Sequence, residues 1–200
     1  MAKLRWRFPD RPLHIFSLGM VQESEWMSQT KYDGHFAVIL KEDGVVSVMS
    51  RHAKPLAVSK VIIDELKAQN LPDGTCLHGE WTSRREANKV ESLYIFSVVY
   101  QSGEWLGQLP EEERWKRCSI IKPTEKLFVV DSKFSGYADH YRSTIDDWKT
   151  EGIVLKKRDS KLHGDLKNPR DNAGFLKLKW REGADGMTKS IVTDDKLVCV

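Results

Sequence analysis

Residues 31–34 read Lys31-Tyr32-Asp33-Gly34, a lysine placed two residues before an Asp-Gly pair. Four later stretches follow it in a fixed order: Ser50-Arg51, Gly79-Glu80, Glu151-Gly152-Ile153-Val154-Leu155-Lys156 and Lys177-Leu178-Lys179-Trp180. A K-x-D-G tetrapeptide by itself arises by chance in roughly one 200-residue chain in twenty. The ordered series is much rarer by chance, so it guides the interpretation of the rest of the chain.

The hydrophobic pattern around these stretches predicts a mixed chain of strands and helices. Runs of β-branched and aromatic residues predict strands, and apolar residues at helical spacing predict helices. The predicted strands cover 35–40, 45–49 (after a turn at 42–44), 93–100, 127–130, a strand from Glu151 and 175–180. The predicted helices cover 59–70, a segment starting after Pro110, and 137–148. Within 93–100, period two places Tyr94, Phe96 and Val98 on one face. This order predicts an α+β fold with antiparallel sheets.

The bulk properties fit one soluble domain. The chain has 200 residues and a formal net charge of +3, from 32 Lys and Arg against 29 Asp and Glu. Its three cysteines, Cys76, Cys118 and Cys199, are widely spaced and predict neither a disulfide framework nor a zinc site. No signal peptide or membrane-length apolar run is present, so we expect a cytoplasmic protein (host cytoplasm if viral), without membrane contact and monomeric.

Basic residues concentrate late in the chain. Residues 151–181 contain nine Lys or Arg against four Asp or Glu, an excess larger than that of the whole chain. We expect the stretch from Lys156 to Arg170 to contact a nucleic-acid backbone, with Gly164 and Pro169 marking a loop free to follow it. Within this stretch, the residues predicted to make these contacts are Lys161, Lys167 and Arg170.

Lys31 needs particular neighbours to act as a nucleophile. A lysine with an ordinary pKa near 10.4 is neutral in about one molecule in a few thousand at pH 7. Nearby cations favour loss of its proton, and Lys177, Lys179 and a bound Mg²⁺ could supply them. The Asp33-Gly34 pair predicts a turn that aims the lysine from a strand end, and Gly34 would permit close approach of a nucleotide.

At these stretches the chain resembles the covalent nucleotidyltransferases, a superfamily that includes ATP-dependent polynucleotide ligases and mRNA capping enzymes. The resemblance covers about Lys31 to Trp180 and is strongest to compact viral and bacterial DNA ligases. It implies an ATP-grasp-like nucleotidyltransferase core of antiparallel sheets with flanking helices. It also implies that Lys31 is the catalytic residue, which takes AMP from ATP as a phosphoramidate.

The resemblance assigns further roles to residues of the same stretches. Glu151 matches the glutamate that binds the catalytic Mg²⁺. The residues matched to nucleotide contacts are Gln29 (base edge), Arg51 (ribose and DNA phosphate), Glu80 (ribose hydroxyls), Phe96 (stacking on adenine), and Lys177 and Lys179 (α-phosphate).

The sequence departs from the family pattern at several places. Phe36, His78 and Ser97 stand where an arginine and two aspartates are common in DNA ligases. Only twenty residues follow Trp180, too few for an OB-fold domain, so we expect a single domain 1–200 with its core at about 25–181 and a short tail 182–200. The P-loop-like stretch 183–190 has Thr188 where a glycine is required.

The expected function is therefore an ATP-dependent DNA ligase reduced to its adenylation domain, acting on nicked duplex DNA. A separate protein or domain would supply the OB-fold function. Two alternatives within the same chemistry are an RNA ligase and a GTP-dependent capping enzyme. An alternative of another class is a nucleotide-binding or DNA-end-binding protein without turnover.

Overall fold

The computed structural model describes residues 4–19, 21–83, 90–145 and 147–180, and the backbone of 190–193 and 196–199. The described strands are β1 Arg11–His14, β2 Trp26–Tyr32, β3 His35–Glu42, β4 Val45–Ser50, β5 Thr75–Thr82, β6 Ser92–Gln101, β7 Glu104–Trp105, β8 Leu127–Val129, β9 Ser132–Lys133, β10 Thr150–Lys157, β11 Asp171–Lys179, β12 Ser190–Thr193 and β13 Lys196–Cys199. The helices are α1 Lys60–Ala68, α2 Glu111–Lys116 and α3 Tyr137–Thr144, with a 3-10 turn Arg117–Ile120 after α2.

Two main sheets carry the fold. Sheet A has the strand order β1-β11-β10-β2-β9, and sheet B has the order β4-β3-β5-β6-β7, with β8 pairing on β6. Most neighbours are antiparallel, which confirms the predicted α+β class. Two pairs, β1 with β11 and β6 with β8, are parallel, and the sequence pattern did not indicate them. Each of these strands returns to its partner after a long connection, which permits the parallel direction.

The apolar core has three parts. One packs sheet B against α1 and the 3-10 turn, and another packs sheet A against α3. The third lies between the sheets, where Val38 and Val99 of sheet B meet Phe175 of sheet A and the lead-in residue Trp6. Cys76 and Cys118 are buried free thiols.

Several predicted elements are confirmed. Helix α1 begins after Ser59, whose side chain accepts from the Ile62 amide, and it buries Ile62 and Leu66 as its spacing predicts. The β3–β4 hairpin turns at Asp43 and Gly44 with φ of 49° and 75°, the left-handed conformation that an Asp-Gly pair favours.

Other predictions need correction. Helix α3 stops at Thr144 instead of residue 148, because Ile145 adopts extended backbone and the Thr150 hydroxyl donates to the Thr144 carbonyl. Strand β11 begins at Asp171, four residues earlier than predicted. The predicted tail contains the antiparallel pair β12–β13.

The described residues form no OB-fold barrel, since every strand outside β12–β13 belongs to sheet A or sheet B. Among the same residues, no helix is long and apolar enough to cross a membrane. The P-loop-like residues 183–189 lie outside the described part of the chain.

Candidate active site

The Lys31 tetrapeptide carries the chain from one sheet to the other. Lys31 is near the end of β2 in sheet A, and β3 in sheet B starts at His35. A β-carbon on Gly34 would lie 2.4 Å from the carbonyl oxygen of Trp81 in β5. Gly34 is therefore required for close packing of the turn on sheet B, a role that the sequence analysis did not predict, and it also lines the cavity described below.

A β-bulge in β10 aims Glu151 at Lys31. Thr150 pairs with Tyr32 and Gly152 pairs with Lys31, which leaves Glu151 as the extra residue. Gly152 has a φ of 137°, and a β-carbon there would overlap the backbone of Leu178. Only glycine fits this position, so the Glu-Gly pair forms a bulge that directs the carboxylate away from the ladder.

Glu151 joins two lysines in one ion-pair cluster. Its Oε1 contacts Lys31 Nζ, and its Oε2 lies 2.7 Å from Lys179 Nζ. Burial alone would raise the pKa of the Glu151 carboxyl, but the two ammonium groups outweigh burial and hold that pKa below its usual value. Lys31 therefore has the cationic Lys179 nearby, as expected. It also has an anionic neighbour that was not expected, the Glu151 carboxylate shared by the two lysines.

The pKa of the Glu80 carboxyl is shifted in the opposite direction, upward. It lies on β5 and faces the same cavity. Burial raises its pKa to about 7, although Lys31 and Arg51 act against the shift and the negative charge of Glu151 adds to it. The site therefore holds two carboxyls of different character: at neutral pH Glu151 is ionised, whereas Glu80 is partly protonated.

A second bulge, in β6, sets the direction of Phe96. Ser97 pairs with His78 and Ile95 pairs with Gly79, which leaves Phe96 between them without a partner. The bulge reverses the alternation, so Phe96 faces the cavity whereas Val98 packs in the core with Ile95. The prediction that Tyr94, Phe96 and Val98 share a face is therefore wrong for Val98.

One cavity of about 670 Å³ lies between the two sheets, within the range of roughly 300–1,000 Å³ typical of ligand sites. It brings together all the residues predicted from the sequence to be catalytic, nucleotide-binding or metal-binding. These lining residues are Gln29, Lys31, Arg51, Glu80, Phe96, Glu151, Lys177 and Lys179. Gln29 is buried and donates from Nε2 to the Ser132 hydroxyl at 3.0 Å.

The three departures from the family pattern meet on one wall of this cavity. Phe36 and His78 touch edge to face with ring centroids 5.1 Å apart, and the Ser97 hydroxyl is buried without a hydrogen-bond partner among the described residues. Burial, with Lys156 and Arg114 nearby, lowers the pKa of His78 to about 3, so its ring is neutral. Because all three residues differ from the ligase pattern, these differences were the signal in the sequence that could have predicted that the three lie together.

Lys156 is a lining residue that the sequence analysis placed wrongly. It was expected to begin the stretch that contacts DNA, but it is buried and pairs with Glu111 at 2.7 Å. Its ammonium lies 4.4 Å from the ring centroid of Phe96. Glu111 also pairs with the buried Arg114, so the first residue of α2 is a buried ionic anchor beside the cavity.

The remaining residues predicted to bind DNA lie outside the cavity lining. Lys161, Lys167 and Arg170 are exposed, and Arg170 Nε pairs with Asp165 at 2.6 Å. The segment that carries them is not a free loop. Its backbone is held by hydrogen bonds from the Leu162 amide to the Gly107 carbonyl and from Arg7 to the Gly164 carbonyl.

The residues present suit Mg²⁺ only in a site completed by a ligand. The described residues contain no group of three His, Cys, Asp or Glu side chains able to hold a metal. Mg²⁺ commonly binds one or two carboxylates together with substrate phosphates and water. Glu151, an ionised carboxylate facing the cavity, fits that requirement, and Glu80 is a neighbouring carboxyl.

Comparisons with known proteins show that this chain shares its fold with solved ligase structures. No protein-family model matches the sequence, and no curated protein matches it closely enough to count as a relative. The ligase domain of M. tuberculosis LigD superposes with a TM-score of 0.66 at 20% identity, over 87% of this chain and 59% of that one. A mycobacterial DNA ligase D complexed with ATP and MES gives 0.65 at 19% identity, over 88% and 61%.

A third solved structure extends the likeness beyond mycobacteria. The ATP-dependent DNA ligase from bacteriophage T7, in complex with ATP, gives a TM-score of 0.60 at 13% identity, over 96% of this chain and 76% of that one. The chain thus has the fold of the nucleotidyltransferase domains of ATP-dependent DNA ligases. It spans about three fifths of the length of the two mycobacterial structures.

Proposed function

We propose that this chain is the adenylation part of an ATP-dependent DNA ligase and that Lys31 carries AMP as a covalent adduct. The observation that carries the proposal is the convergence of Lys31, Glu151 and Lys179 at one end of a nucleotide-sized cavity. The three solved structures compared above are ligases or ligase domains, and two of them are described as complexes with ATP.

The proposed first step is attack of the neutral Lys31 amine on the α-phosphorus of ATP. A phosphorus–nitrogen bond forms, the bond from the α-phosphorus to the bridging oxygen breaks, pyrophosphate leaves with that electron pair, and the nitrogen loses one proton to solvent to give the phosphoramidate. In this proposal Phe96 stacks on the base, Glu80 binds the ribose hydroxyls and Gln29 contacts the base edge. Lys177, Lys179 and Arg51 offset the negative charge of the phosphate.

Glu151 would hold Mg²⁺, with Glu80 as the nearby carboxyl and the phosphates completing the site. When bound, the ion supplies positive charge to the α-phosphate oxygens. Two further transfers complete the proposed reaction. AMP passes from Lys31 to the 5′-phosphate of a DNA nick, and the 3′-hydroxyl then attacks that phosphate and releases AMP.

The proposal is tested by incubating the protein with ATP or GTP labelled at the α-phosphate and measuring label that survives denaturation. We expect label from ATP, mapping to Lys31, and no label in Lys31→Ala. Lys60→Ala, which removes an exposed lysine on α1, is the matched control and keeps the label. Label from GTP alone, label on another lysine, or no label from either nucleotide contradicts the proposal.

A further inference from the structure

Three aromatic rings form a column that crosses from sheet A to sheet B. The rings of Tyr32 and Tyr94 are stacked, with centroids 3.5 Å apart and planes 9° from parallel. The ring of Phe128 follows at 5.3 Å from Tyr94 and 21° from parallel. Tyr32 ends β2 in sheet A, whereas Tyr94 and Phe128 are register partners on β6 and β8 of sheet B.

On each sheet, the column lies next to residues assigned to the proposed reaction. Tyr32 directly follows Lys31 in the chain. Tyr94 is the cross-strand partner of Glu80 and stands two residues before Phe96. A displacement of one ring against the other would therefore change the distance between Lys31 on one sheet and Glu80 and Phe96 on the other.

Resting on the function proposed above, we infer that Tyr32 and Tyr94 are positioning residues for lysyl attack. The proposed contacts of Phe96 with the base and of Glu80 with the ribose lie on sheet B, whereas the attacking nitrogen and the proposed phosphate ligands Lys177 and Lys179 belong to sheet A. Attack requires the reacting atoms to lie about 3–3.5 Å apart and in line, so the offset between the sheets controls the rate. The stacked pair fixes that offset beside the nucleophile.

The contribution comes from the flat rings and not from the hydroxyl groups. Tyr94 is buried, and Tyr32 is half-buried at the cavity edge. Burial raises the pKa of Tyr32 to about 12 and also raises that of Tyr94, so both phenols are neutral in the working pH range. Stacked rings are stabilised by area and ring electrostatics, which phenylalanine preserves.

Tyr32→Leu tests the inference, because leucine keeps apolar bulk but removes the stack. We expect single-turnover self-adenylation at saturating ATP to fall about 10- to 100-fold, since a misplacement of about 1 Å can cost 100-fold. Binding of a non-hydrolysable ATP analogue should change less than about threefold, because the variant removes none of the side chains proposed to contact the nucleotide. Sealing of a nick that already carries 5′-AMP needs no lysyl attack and should keep its rate.

Two variants separate positioning from general structural damage. Tyr32→Phe should restore self-adenylation, and Tyr94→Leu should reproduce the loss from the opposite sheet. Phe134→Leu, which removes a partly exposed ring near Trp115 and outside the cavity lining, is the control and should leave both steps unchanged. All rates are measured below the thermal transition of each variant.

The outcomes distinguish this inference from the proposed function. A wild-type protein without an adduct overturns the proposed function. Wild-type self-adenylation that persists in Tyr32→Leu and Tyr94→Leu overturns the inference alone. Equal losses in adenylation, analogue binding and sealing, or failure of Tyr32→Phe to restore the rate, also overturn it, because they indicate a structural or hydroxyl role.

Discussion

Glu151 carries one negative charge between two ammonium groups, and removing that charge affects both. Glutamine at this position keeps the shape but leaves Lys31 and Lys179 side by side without a counter-charge, and it weakens any site for a hard cation. The first effect acts through the charges around Lys31, and the second acts through the binding of Mg²⁺. A measurement of rate against Mg²⁺ concentration separates them.

For Glu151→Gln we expect self-adenylation to fall at least about 100-fold at low Mg²⁺, with partial recovery at high Mg²⁺. Single-turnover rates over a Mg²⁺ series provide the measurement. Glu25→Gln, at a surface residue whose carboxylate lies 3.5 Å from Lys157, is the control. A normal rate for Glu151→Gln at low Mg²⁺ would remove this residue from the metal site.

The raised pKa of Glu80 makes the stability of the protein depend on pH. Its pKa is raised to about 7 in the folded state, so the folded protein holds this proton more tightly than the unfolded chain does. The contribution to stability is complete below the unfolded pKa and is lost as pH rises through about 7. Ionised Glu80 therefore destabilises the ligand-free protein above neutral pH.

Glu80→Gln is expected to raise the free energy of unfolding at pH 8 by on the order of 2 kcal/mol and to change it little at pH 4.5. Urea unfolding of the ligand-free protein at both pH values measures this difference. The same variant should adenylate more slowly if the carboxylate binds ribose. An equal effect of the substitution at the two pH values would contradict the pKa assignment.

At the scale of strands, the two bulges explain which predictions were possible. Polarity and period two predicted β3, β4 and the direction of Lys177 and Lys179, because regular strands follow local pattern. Local pattern does not encode which strand receives a bulge, since the bulge depends on the partner strand's register. For this reason the predicted orientation of Val98 was wrong, whereas Phe96, which was selected through the family resemblance, does line the cavity.

The sequence predicted residues that line the cavity, but it did not predict the cavity's shape or position between the sheets. Ordered motifs indicated its eight predicted lining residues, whereas Glu111 and Lys156 were missed because a buried ion pair between α2 and β10 leaves no local signature. Strands β1, β5, β7 and β9 were also missed. Strands β1 and β9 pair with segments distant in sequence, such as Asp171 opposite Arg11, and no short-range pattern reports such pairing.

Gly152→Ala tests the bulge directly. The φ of 137° and the overlap with Leu178 should lower the free energy of unfolding by about 2–4 kcal/mol. Gly44→Ala is the control, since Gly44 has a φ of 75° but open space around it, and it should cost about 1 kcal/mol. Chemical denaturation of both variants provides the comparison, and equal costs would contradict the steric argument.

The segment 158–170 makes a separate prediction about DNA. The double change Lys161→Glu and Lys167→Glu should weaken binding to nicked duplex, and the salt slope of affinity should fall by about one for each phosphate that is no longer neutralised. Lys122→Glu, an exposed lysine outside this segment, is the control. Fluorescence anisotropy over a salt series measures both quantities, and an unchanged slope would place the DNA elsewhere.

At the scale of the whole molecule, the cavity lies between the two sheets, and the two proposed chemical steps would use it differently. Lysyl attack depends on orientation of the departing pyrophosphate, whereas sealing of adenylated DNA does not. The residues that we assign to the phosphates, Lys177, Lys179 and Arg51, are proposed to act at the α-phosphate. We therefore expect these 200 residues alone to self-adenylate slowly, by orders of magnitude, relative to sealing a pre-adenylated nick.

Single-turnover assays of the two steps under the same conditions provide this comparison. The control is a substrate nick without 5′-AMP, which requires both steps and should follow the slower one. Rapid self-adenylation at micromolar ATP would show that residues within the 200 orient the pyrophosphate.

The order of strands in sheet A has a consequence for how the chain folds during synthesis. Sheet B comes largely from a continuous region, residues 35–105, so most of its hairpins can form early. Strand β2 must wait for β10, and β1 must wait for β11, more than a hundred residues later. Such high contact order makes this sheet the slow part of folding. Lys31, the proposed nucleophile, is therefore synthesised long before Glu151 and Lys179, and a chain that ends before residue 179 contains this lysine without the complete ion-pair cluster.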